Sequence, residues 1–372
     1  MARFAAILLS RQPLRPNGQT PWVKQVVAAV TWLKVHDYGL VGSIGIQTWE
    51  LITALAVREK LPVRLFVPVT DPGEFDSECD SLTYQFDLDP KLTEFVPVFG
   101  SEKAPSSVSL MTRRDRLIVK QAQLLVPVSV REDGGMSNLI TVARAFGREL
   151  VTDFEIGYED RTSPLAADFS GHPVNPELQN IKRDYIIHWT RAANGPWPDE
   201  RLVDFYRAIF ASTSWPRSGL ETLRRVAGQK RIIASFRHMP AGVATVSFSS
   251  LSPREVIPLM TWRARYHQMS FEPYGIGFGR KAAESAGIQP VIYSENANDS
   301  GDENERWRRQ TKGRVTDWRQ EEEYRIRGDF SFGSVRPEDV VLFCKTPQEA
   351  ELLRRELPYR VVPMFVLGNG SI

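Results

Sequence analysis

The sequence predicts an α/β protein in which a doubly wound parallel sheet is followed by a second, α+β domain. Apolar strand-like runs alternate with helix-like runs over the first 160 residues, but this alternation becomes irregular after residue 181. Pro, Ser, Gly and Asp are concentrated between these two regions. We therefore expect a first domain at 1–160, a linker at 161–180 and a second domain at 181–372. With 372 residues, of which 42% are hydrophobic, each domain is long enough to bury a core.

The elements expected in the first domain follow from the spacing of apolar residues. Apolar residues recur at helical spacing in four segments, whereas short β-rich runs bounded by turn residues lie between them. The expected strands are 7–9, 38–46, 61–69, 94–100, 123–130 and 148–154, and the expected helices are 22–35, 48–60, 112–122 and 137–147. The strongly acidic stretch 71–94 is interpreted as a loop.

In the second domain, helices and strands are mixed without a regular βαβ order. We expect helices at 199–211, 218–228, 253–261, 280–287 and 347–356. We expect strands at 231–238, 242–250, 274–279 and 290–293, a strand-like segment within 315–330, and two final strands that flank the last helix.

Composition limits the function classes. The formal net charge of +2 gives no overall attraction to nucleic acid, although Arg113, Arg114, Arg116 and Lys120 form a local basic cluster. Two distant cysteines exclude a disulfide framework and argue against a cysteine zinc site, and no metal site is evident. No apolar run reaches membrane-spanning length. We expect a cytoplasmic protein that does not bind membranes.

Two sets of residues in the first domain are expected to bind a nucleotide or DNA. Gly42 and Ser43 follow a strand and precede a helix, as phosphate-binding turns do. The second set lies at the carboxyl ends of strands, where doubly wound sheets bind ligands. It combines guanidinium groups with a Gly-rich turn into a helix, and consists of Arg113, Arg114, Arg116, Gly134, Gly135 and Ser137.

The segments RRDRLI and GGMSNLITVARAFGRE resemble the DNA-processing protein A (DprA) family, in which an RNR-I-I segment and an SGSLITA segment flank a strand in the same order. The resemblance covers roughly residues 35–155. It implies a Rossmann domain that binds a nucleotide or single-stranded DNA. A Rossmann domain that has kept only its shape is the alternative.

The second domain contains a set of residues that is typical of a pocket. His188 and Thr190 alternate along an apolar strand beside Trp189, while Tyr266, Tyr274 and Trp318 are aromatic groups that can stack on a base. On a strand, Glu321 and Glu323 share a face, so that repulsion raises one pKa and favours general acid–base chemistry. The alternatives are a core strand at His188 and a solvated acidic strand at Glu321–Glu323.

The order of His-x-Thr, a middle Tyr and a late Glu resembles ADP-ribosyltransferase folds. This resemblance implies that NAD is a ligand. His188 and Thr190 would then hold its nicotinamide-ribose end, Tyr274 or Tyr266 would stack on it, and Glu323 or Glu321 would bind ribose hydroxyls.

The overall architecture is similar to that of the DpdC-type family of bacterial 7-deazaguanine DNA modification. That likeness implies conversion of 7-cyano-7-deazaguanine in DNA to the amide, with Glu321, Glu323, His188 and Tyr274 as candidate catalytic residues. It also implies partner proteins from a modification or defence cluster. An NAD-consuming transferase or effector, and a DNA- or nucleotide-sensing protein without catalysis, are the alternatives.

Overall fold

The chain forms two compact units. The computed structural model describes residues 3–100, 107–159, 167–236, 239, 242–294, 303–311 and 318–366. Unit 1 comprises Met1–Ser163 and Asn194–Pro216, and unit 2 comprises Pro164–Ala193 and Arg217–Ile372. The division is therefore not linear along the chain, because the segment 194–216 groups with the first unit. A single cut near residue 180 does not separate the two.

Unit 1 is built on a six-stranded parallel sheet, as the alternation of elements predicts. Its strands are β1 (Arg3–Leu9), β2 (Tyr38–Ser43), β3 (Val63–Val69), β4 (Thr93–Phe99), β5 (Leu124–Ser129) and β6 (Glu149–Leu150). The spatial order is β4-β3-β2-β1-β5-β6. The chain reverses its direction of progress between β1 and β5, so the crevice at their carboxyl ends is the topological switch point of a Rossmann-like sheet.

Helices flank this sheet. They are α1 (Pro21–Val35), α2 (Gln47–Arg58), α3 (Phe75–Phe86), α4 (Ser107–Gln121), α5 (Gly135–Ala145) and, from the returning segment, α6 (Leu202–Ala211). Strands β2 and β5 are buried at every position, because a parallel sheet is covered by helices on both faces. This burial explains why their sequences are nearly continuous apolar runs.

The interpretation of 71–94 as a loop is wrong, because α3 lies within it. The helix carries acidic residues on its exposed side, and they mask the apolar spacing that Phe75, Leu82 and Phe86 provide. Leu82 and Phe86 are buried in the core of unit 1. Charge density therefore concealed a conventional amphipathic helix.

Unit 2 is an α+β unit with a seven-stranded mixed sheet of order β13-β16-β9-β7-β12-β18-β19. The strands of unit 2, both in this sheet and in three separate strand pairs, are β7 (Tyr185–Thr190), β8 (Arg231–Ile232), β9 (Thr245–Ser249), β10 (Trp262–Arg263), β11 (Gln268–Met269), β12 (Tyr274–Gly279), β13 (Gln289–Pro290), β14 (Ile292–Ser294), β15 (Arg309–Thr311), β16 (Glu323–Arg327), β17 (Phe330–Ser331), β18 (Val340–Cys344) and β19 (Arg360–Pro363). Its helices are α7 (Gly219–Gln229), α8 (Pro253–Val256), α9 (Arg280–Ser285) and α10 (Pro347–Glu356).

Two apolar cores form in unit 2, and they involve alternate residues of β7. Ile186 belongs to one core, whereas Ile187 and Trp189 belong to the other. The expected helix 253–261 is interrupted, because Pro258 cannot donate a backbone hydrogen bond and the chain turns into a short 3₁₀ segment after Val256. Within the described ranges, none of the helices is both long and apolar enough to cross a bilayer.

Candidate active site

A cavity of about 370 Å³ lies in unit 2, against β7, β9 and β16. The short β10–β11 hairpin supplies another wall. Its titratable lining combines two carboxylates, three guanidinium groups, one imidazole and one phenol, namely Glu321, Glu323, Arg191, Arg263, Arg325, His188 and Tyr266. A concave site with a few convergent polar groups and apolar walls is the usual form of a small-molecule site.

His188 lies where two strands of the sheet separate. In the ladder between β7 and β9, Ile187 pairs with Ser249. One residue further, Nδ1 of His188 lies 2.8 Å from the carbonyl oxygen of Ser247. A nitrogen that faces a carbonyl must donate, so Nδ1 carries the proton and Nε2 is the basic nitrogen of the neutral ring. Burial lowers the pKa of His188 to about 4, and the nearby Arg191 charge adds to this effect.

Glu323 is held on both carboxylate oxygens. Arg325 donates from Nε to Oε1 at 2.8 Å and from Nη2 to Oε2 at 2.9 Å, and the Ser247 hydroxyl donates to Oε1 at 2.7 Å. Arg325 is buried and also donates to Gln310. This bidentate pair fixes the position of the Glu323 carboxylate, and the Arg325 contact with Gln310 fastens the β15 segment to the sheet.

The Glu321 side chain lines the same cavity, but the backbone conformation that places it there differs from the expected strand. The expectation of a continuous strand through 321–323 is wrong, because Trp318–Glu321 is a 3₁₀ turn and Glu322 has a left-handed φ of 43°. Glu322 points away and pairs with Arg183. Glu321 and Glu323 both line the cavity because of this turn and not because of strand alternation.

The two carboxylates are electrostatically different. Arg263 donates to Oε1 of Glu321 at 3.1 Å, and among the described residues Oε2 has no hydrogen-bond partner. Burial raises the pKa of Glu321 above its ordinary value, and the neighbouring Glu323 charge acts in the same direction, although Arg263 opposes both. Burial therefore favours the protonated form of the Glu321 carboxyl.

Tyr274 and Thr190 do not belong to this cavity, and we correct their expected roles. The buried Tyr274 hydroxyl donates to Glu349 at 2.9 Å, and burial raises the pKa of Tyr274 well above its ordinary value. The Thr190 hydroxyl donates to the carbonyls of Gly219 and Tyr274. The Thr190 side chain therefore holds α7 and β12 to β7, whereas the Tyr274 side chain holds β12 to α10, and neither lines the cavity.

The remaining expected pocket residues divide into two groups. Trp189 and Tyr266 line the cavity, and Trp189 also packs on Phe343 with ring centroids 5.7 Å apart. Trp318 opens the 3₁₀ turn before Glu321, but its side chain lies outside the described part of the chain. Among the described side chains, the phenyl, phenol and indole groups that border the cavity are thus Trp189, Tyr266, Phe248 and Phe271.

Sequence reasoning missed Arg263, Arg191 and Gln310 as cavity residues. Arg263 comes from a hairpin whose strands are two residues long, too short to give an alternation signal. Gln310 lies on β15, which pairs with β14 outside the main sheet. Only tertiary contacts bring these side chains to the cavity, so no local pattern could identify them.

In unit 1, Gly42 and Ser43 lie inside β2 and not in the turn that follows it. The Ser43 hydroxyl is fully buried and donates to the carbonyl of Phe66 at 2.6 Å. In the turn itself, Glu50 accepts a hydrogen bond from the Gly45 amide at 3.0 Å. A carboxylate therefore occupies this turn, which disfavours the phosphate site that was expected at Gly42 and Ser43.

The expected arginine cluster also separates into different environments. Arg114 is fully buried, donates to Asp115 at 2.8 Å and also donates to the carbonyl of Ile44. It therefore holds α4 against the β2 turn and does not present a free guanidinium group. Arg113 and Arg116 are exposed, and together with the exposed Lys120 they follow helical spacing on one face of α4.

Gly134 and Gly135 begin α5 directly after β5, at the switch point of the sheet. Gly134 is the N-cap residue and no side chain caps the helix, while Gly135 is exposed and Ser137 is half-buried in the first turn. The structure therefore retains a helix N-terminus at the expected place.

A metal centre has no support in the residues that the structure describes, because no group of three His, Cys, Asp or Glu side chains there could hold an ion. Cys344 is buried, and burial raises the pKa of its thiol to about 12, so it is not a ready nucleophile.

No family model matches the sequence, and no curated protein matches it significantly. Two solved structures of DNA processing protein A are partly similar. The protein from Helicobacter pylori, described for its single-stranded DNA binding mode, has a TM-score of 0.30 and 12% identity over 44% of this chain and 67% of its own. The protein from Streptococcus pneumoniae has a TM-score of 0.28 and 15% identity, over 40% of this chain and 49% of its own.

Proposed function

We propose that this protein is an enzyme that acts on a modified base in DNA, and that the unit 2 cavity binds the base. The observation that carries the proposal is the pairing of a carboxyl of raised pKa, Glu321, with a neutral imidazole, His188, in one cavity. A proton donor and a basic nitrogen on opposite sides of a substrate suit the addition of water to an unsaturated group. The volume of about 370 Å³ is suited to a base or nucleoside more than to a dinucleotide.

The specific reaction that we propose is hydration of the nitrile of 7-cyano-7-deazaguanine. Water gives a proton to Nε2 of His188 while its oxygen bonds to the nitrile carbon. The nitrile nitrogen takes the proton of the Glu321 carboxyl, and the resulting imidic acid tautomerises to the amide. His188 then returns its proton to Glu321 through solvent. The net change is the addition of one water molecule, and no cofactor is consumed.

Support for DNA as the substrate comes from unit 1. The exposed Arg113, Arg116 and Lys120 form a basic stripe on α4, and such stripes contact phosphates without reading sequence. The sequence resemblance to the DprA family points in the same direction. Proteins of a modification or defence cluster remain partners that we infer from the DpdC-type resemblance alone.

ADP-ribosyl transfer receives less support. Thr190 and Tyr274, two of the residues that the transferase resemblance would use, make structural hydrogen bonds outside the cavity. In addition, both oxygens of Glu323 are already paired with Arg325. Ribose hydroxyls would therefore have to share these oxygens with the Arg325 guanidinium and the Ser247 hydroxyl.

A ligand panel measured by thermal shift tests the proposal. The panel contains NAD, ADP-ribose, nucleoside monophosphates, and oligonucleotides with guanine or cyano-deazaguanine. A ligand present at 100 times its Kd adds about 2.7 kcal/mol to stability. We expect the cyano-deazaguanine oligonucleotide to stabilise the protein more than its guanine counterpart, and Glu321→Gln to reduce that difference. Stabilisation by NAD alone would contradict the proposal, and equal stabilisation by both oligonucleotides would favour a DNA-sensing protein.

A further inference from the structure

The β10–β11 hairpin is a separate arm at the edge of the cavity. Its two strands pair with each other and with no other described strand. Ser270 holds the base of the hairpin, since its backbone amide donates to the Thr261 carbonyl at 2.8 Å and its hydroxyl accepts from the Thr261 amide at 3.0 Å. Beyond this base, Arg263 and Tyr266 reach the cavity.

Arg263 contacts only one side of the Glu321 carboxyl. Its Nη2 donates to Oε1 at 3.1 Å, and both side chains are partly exposed, at 31% and 22%. Among the described residues, the other ionisable groups that interact with Glu321 are Glu323 and Arg325 on β16 and Tyr293 on β14. Because Glu323 and Arg325 are paired with each other, Arg263 is, among the described side chains, the cation that pairs directly with Glu321.

We propose that Arg263 is the positioning residue for Glu321, holding one carboxyl oxygen from the hairpin and leaving the other open to the cavity. The use of Glu321 in catalysis rests on the proposed function, but the positioning does not. The contact also places a full positive charge about 3 Å from the carboxyl, which favours its ionised form. Arg263 therefore limits how far burial can raise the pKa of Glu321.

The experiment is a ¹³C NMR titration of the full-length protein labelled at the Glu side-chain carboxyl. The Glu321→Gln variant assigns the Glu321 signal, and the titration is then repeated in Arg263→Gln and Arg263→Lys. We expect Arg263→Gln to raise the pKa of Glu321 by about one unit or more, and Arg263→Lys to restore most of the original value. Arg254→Gln, which removes an exposed arginine from α8, is the matched control and should leave the titration unchanged.

An unchanged Glu321 titration in folded Arg263→Gln would overturn the inference, even if its thermal midpoint fell. If Arg263→Gln fails to fold, Arg263→Met takes its place, because it also removes the charge while keeping an unbranched side chain, and an unchanged Glu321 titration in that variant would overturn the inference. The readout needs no substrate. A protein that fails to hydrate any nitrile but shows the Arg263-dependent titration would refute the proposed function and keep this inference.

Discussion

Nδ1 of His188 lies 2.8 Å from the carbonyl oxygen of Ser247, at the point where β7 and β9 separate. The ring therefore takes the place of a ladder hydrogen bond, and burial favours its neutral form. This relationship fixes the tautomer that the proposed mechanism needs. It also makes the stability of unit 2 dependent on pH.

The pKa of His188 is about 4 in the folded protein, whereas an unfolded histidine titrates near 6.5. Between these values the unfolded chain binds more protons, so stability is complete above about pH 6.5 and falls as the pH drops towards 4. We expect a loss of at most about 3–4 kcal/mol in wild type. Urea unfolding at several pH values measures how the free energy of unfolding depends on pH. We expect His188→Gln to reduce this pH dependence and the exposed His172→Gln to retain it. An equal pH dependence of the unfolding free energy in the wild type and in His188→Gln would contradict the lowered pKa of His188.

Removing Arg325 should destabilise unit 2 strongly. Arg325→Leu leaves the Glu323 carboxylate in the cavity wall without its cation, and breaking a buried pair in this way costs about 3–5 kcal/mol. The double variant Glu323→Leu with Arg325→Leu should cost less than Arg325→Leu alone, because no unpaired charge remains. Guanidinium unfolding of the four proteins in a double-mutant cycle measures the coupling. A double variant no more stable than Arg325→Leu would be inconsistent with a coupling between Glu323 and Arg325.

Gly275 is required by the packing of Trp189. A Cβ at position 275 would lie 2.8 Å from the Trp189 ring, on a strand that pairs directly with β7. We expect Gly275→Ala to cost about 1–3 kcal/mol through overpacking and to displace the cavity wall at Trp189. Gly228→Ala is the matched control, because it meets nothing within 4 Å and should stabilise α7 by up to about 1 kcal/mol. Tryptophan fluorescence and thermal unfolding together report both effects.

The basic stripe on α4 should determine the salt dependence of DNA binding. Replacing Arg113, Arg116 and Lys120 by Ala should lower the slope of log K against log salt by about 2 for single-stranded DNA, at about 0.7 for each phosphate contact. The exposed Lys24→Ala on α1 is the control. Fluorescence anisotropy at four salt concentrations measures the slope. An unchanged slope would remove α4 from the DNA-binding surface.

Arg114 should behave differently from its neighbours. Since its guanidinium is buried and paired with Asp115, Arg114→Ala should destabilise unit 1 by about 3 kcal/mol or more. Arg113→Ala should leave stability within about 0.5 kcal/mol. Circular dichroism during urea unfolding distinguishes the two variants. A stable Arg114→Ala that binds DNA weakly would instead support the direct phosphate contact that the sequence suggested.

The spacing of apolar residues was sufficient to predict the parallel sheet of unit 1. Each of its strands and helices buries an apolar face, and this face is visible as a pattern within the element's own sequence. The prediction failed at α3, where acidic residues obscured Phe75, Leu82 and Phe86. His188, Glu321 and Glu323 line one cavity, although the backbone at Glu322 differs from the expected strand, and their catalytic roles stay a prediction.

The role of each cavity residue depended on information that no local pattern carries. Alternation places His188 and Thr190 on one side of β7, but it does not reveal that α7 covers Thr190. Similarly, nothing near Glu323 in sequence shows that Ser247 and Arg325 together occupy both of its oxygens. Arg263 enters through a hairpin that only the folded chain brings to Glu321.

The central claim is that Glu321 gives a proton to a nitrile in the unit 2 cavity. The most direct measurement incubates the protein with a single-stranded oligonucleotide that contains 7-cyano-7-deazaguanine and follows its mass and that of its nucleosides. We predict a gain of one water by the modified base with wild type, a loss of this activity by at least about 100-fold in Glu321→Gln, and its retention in Tyr274→Phe. An unchanged rate in folded Glu321→Gln, or no added water with wild type at any pH between about 4 and 8, would contradict the account.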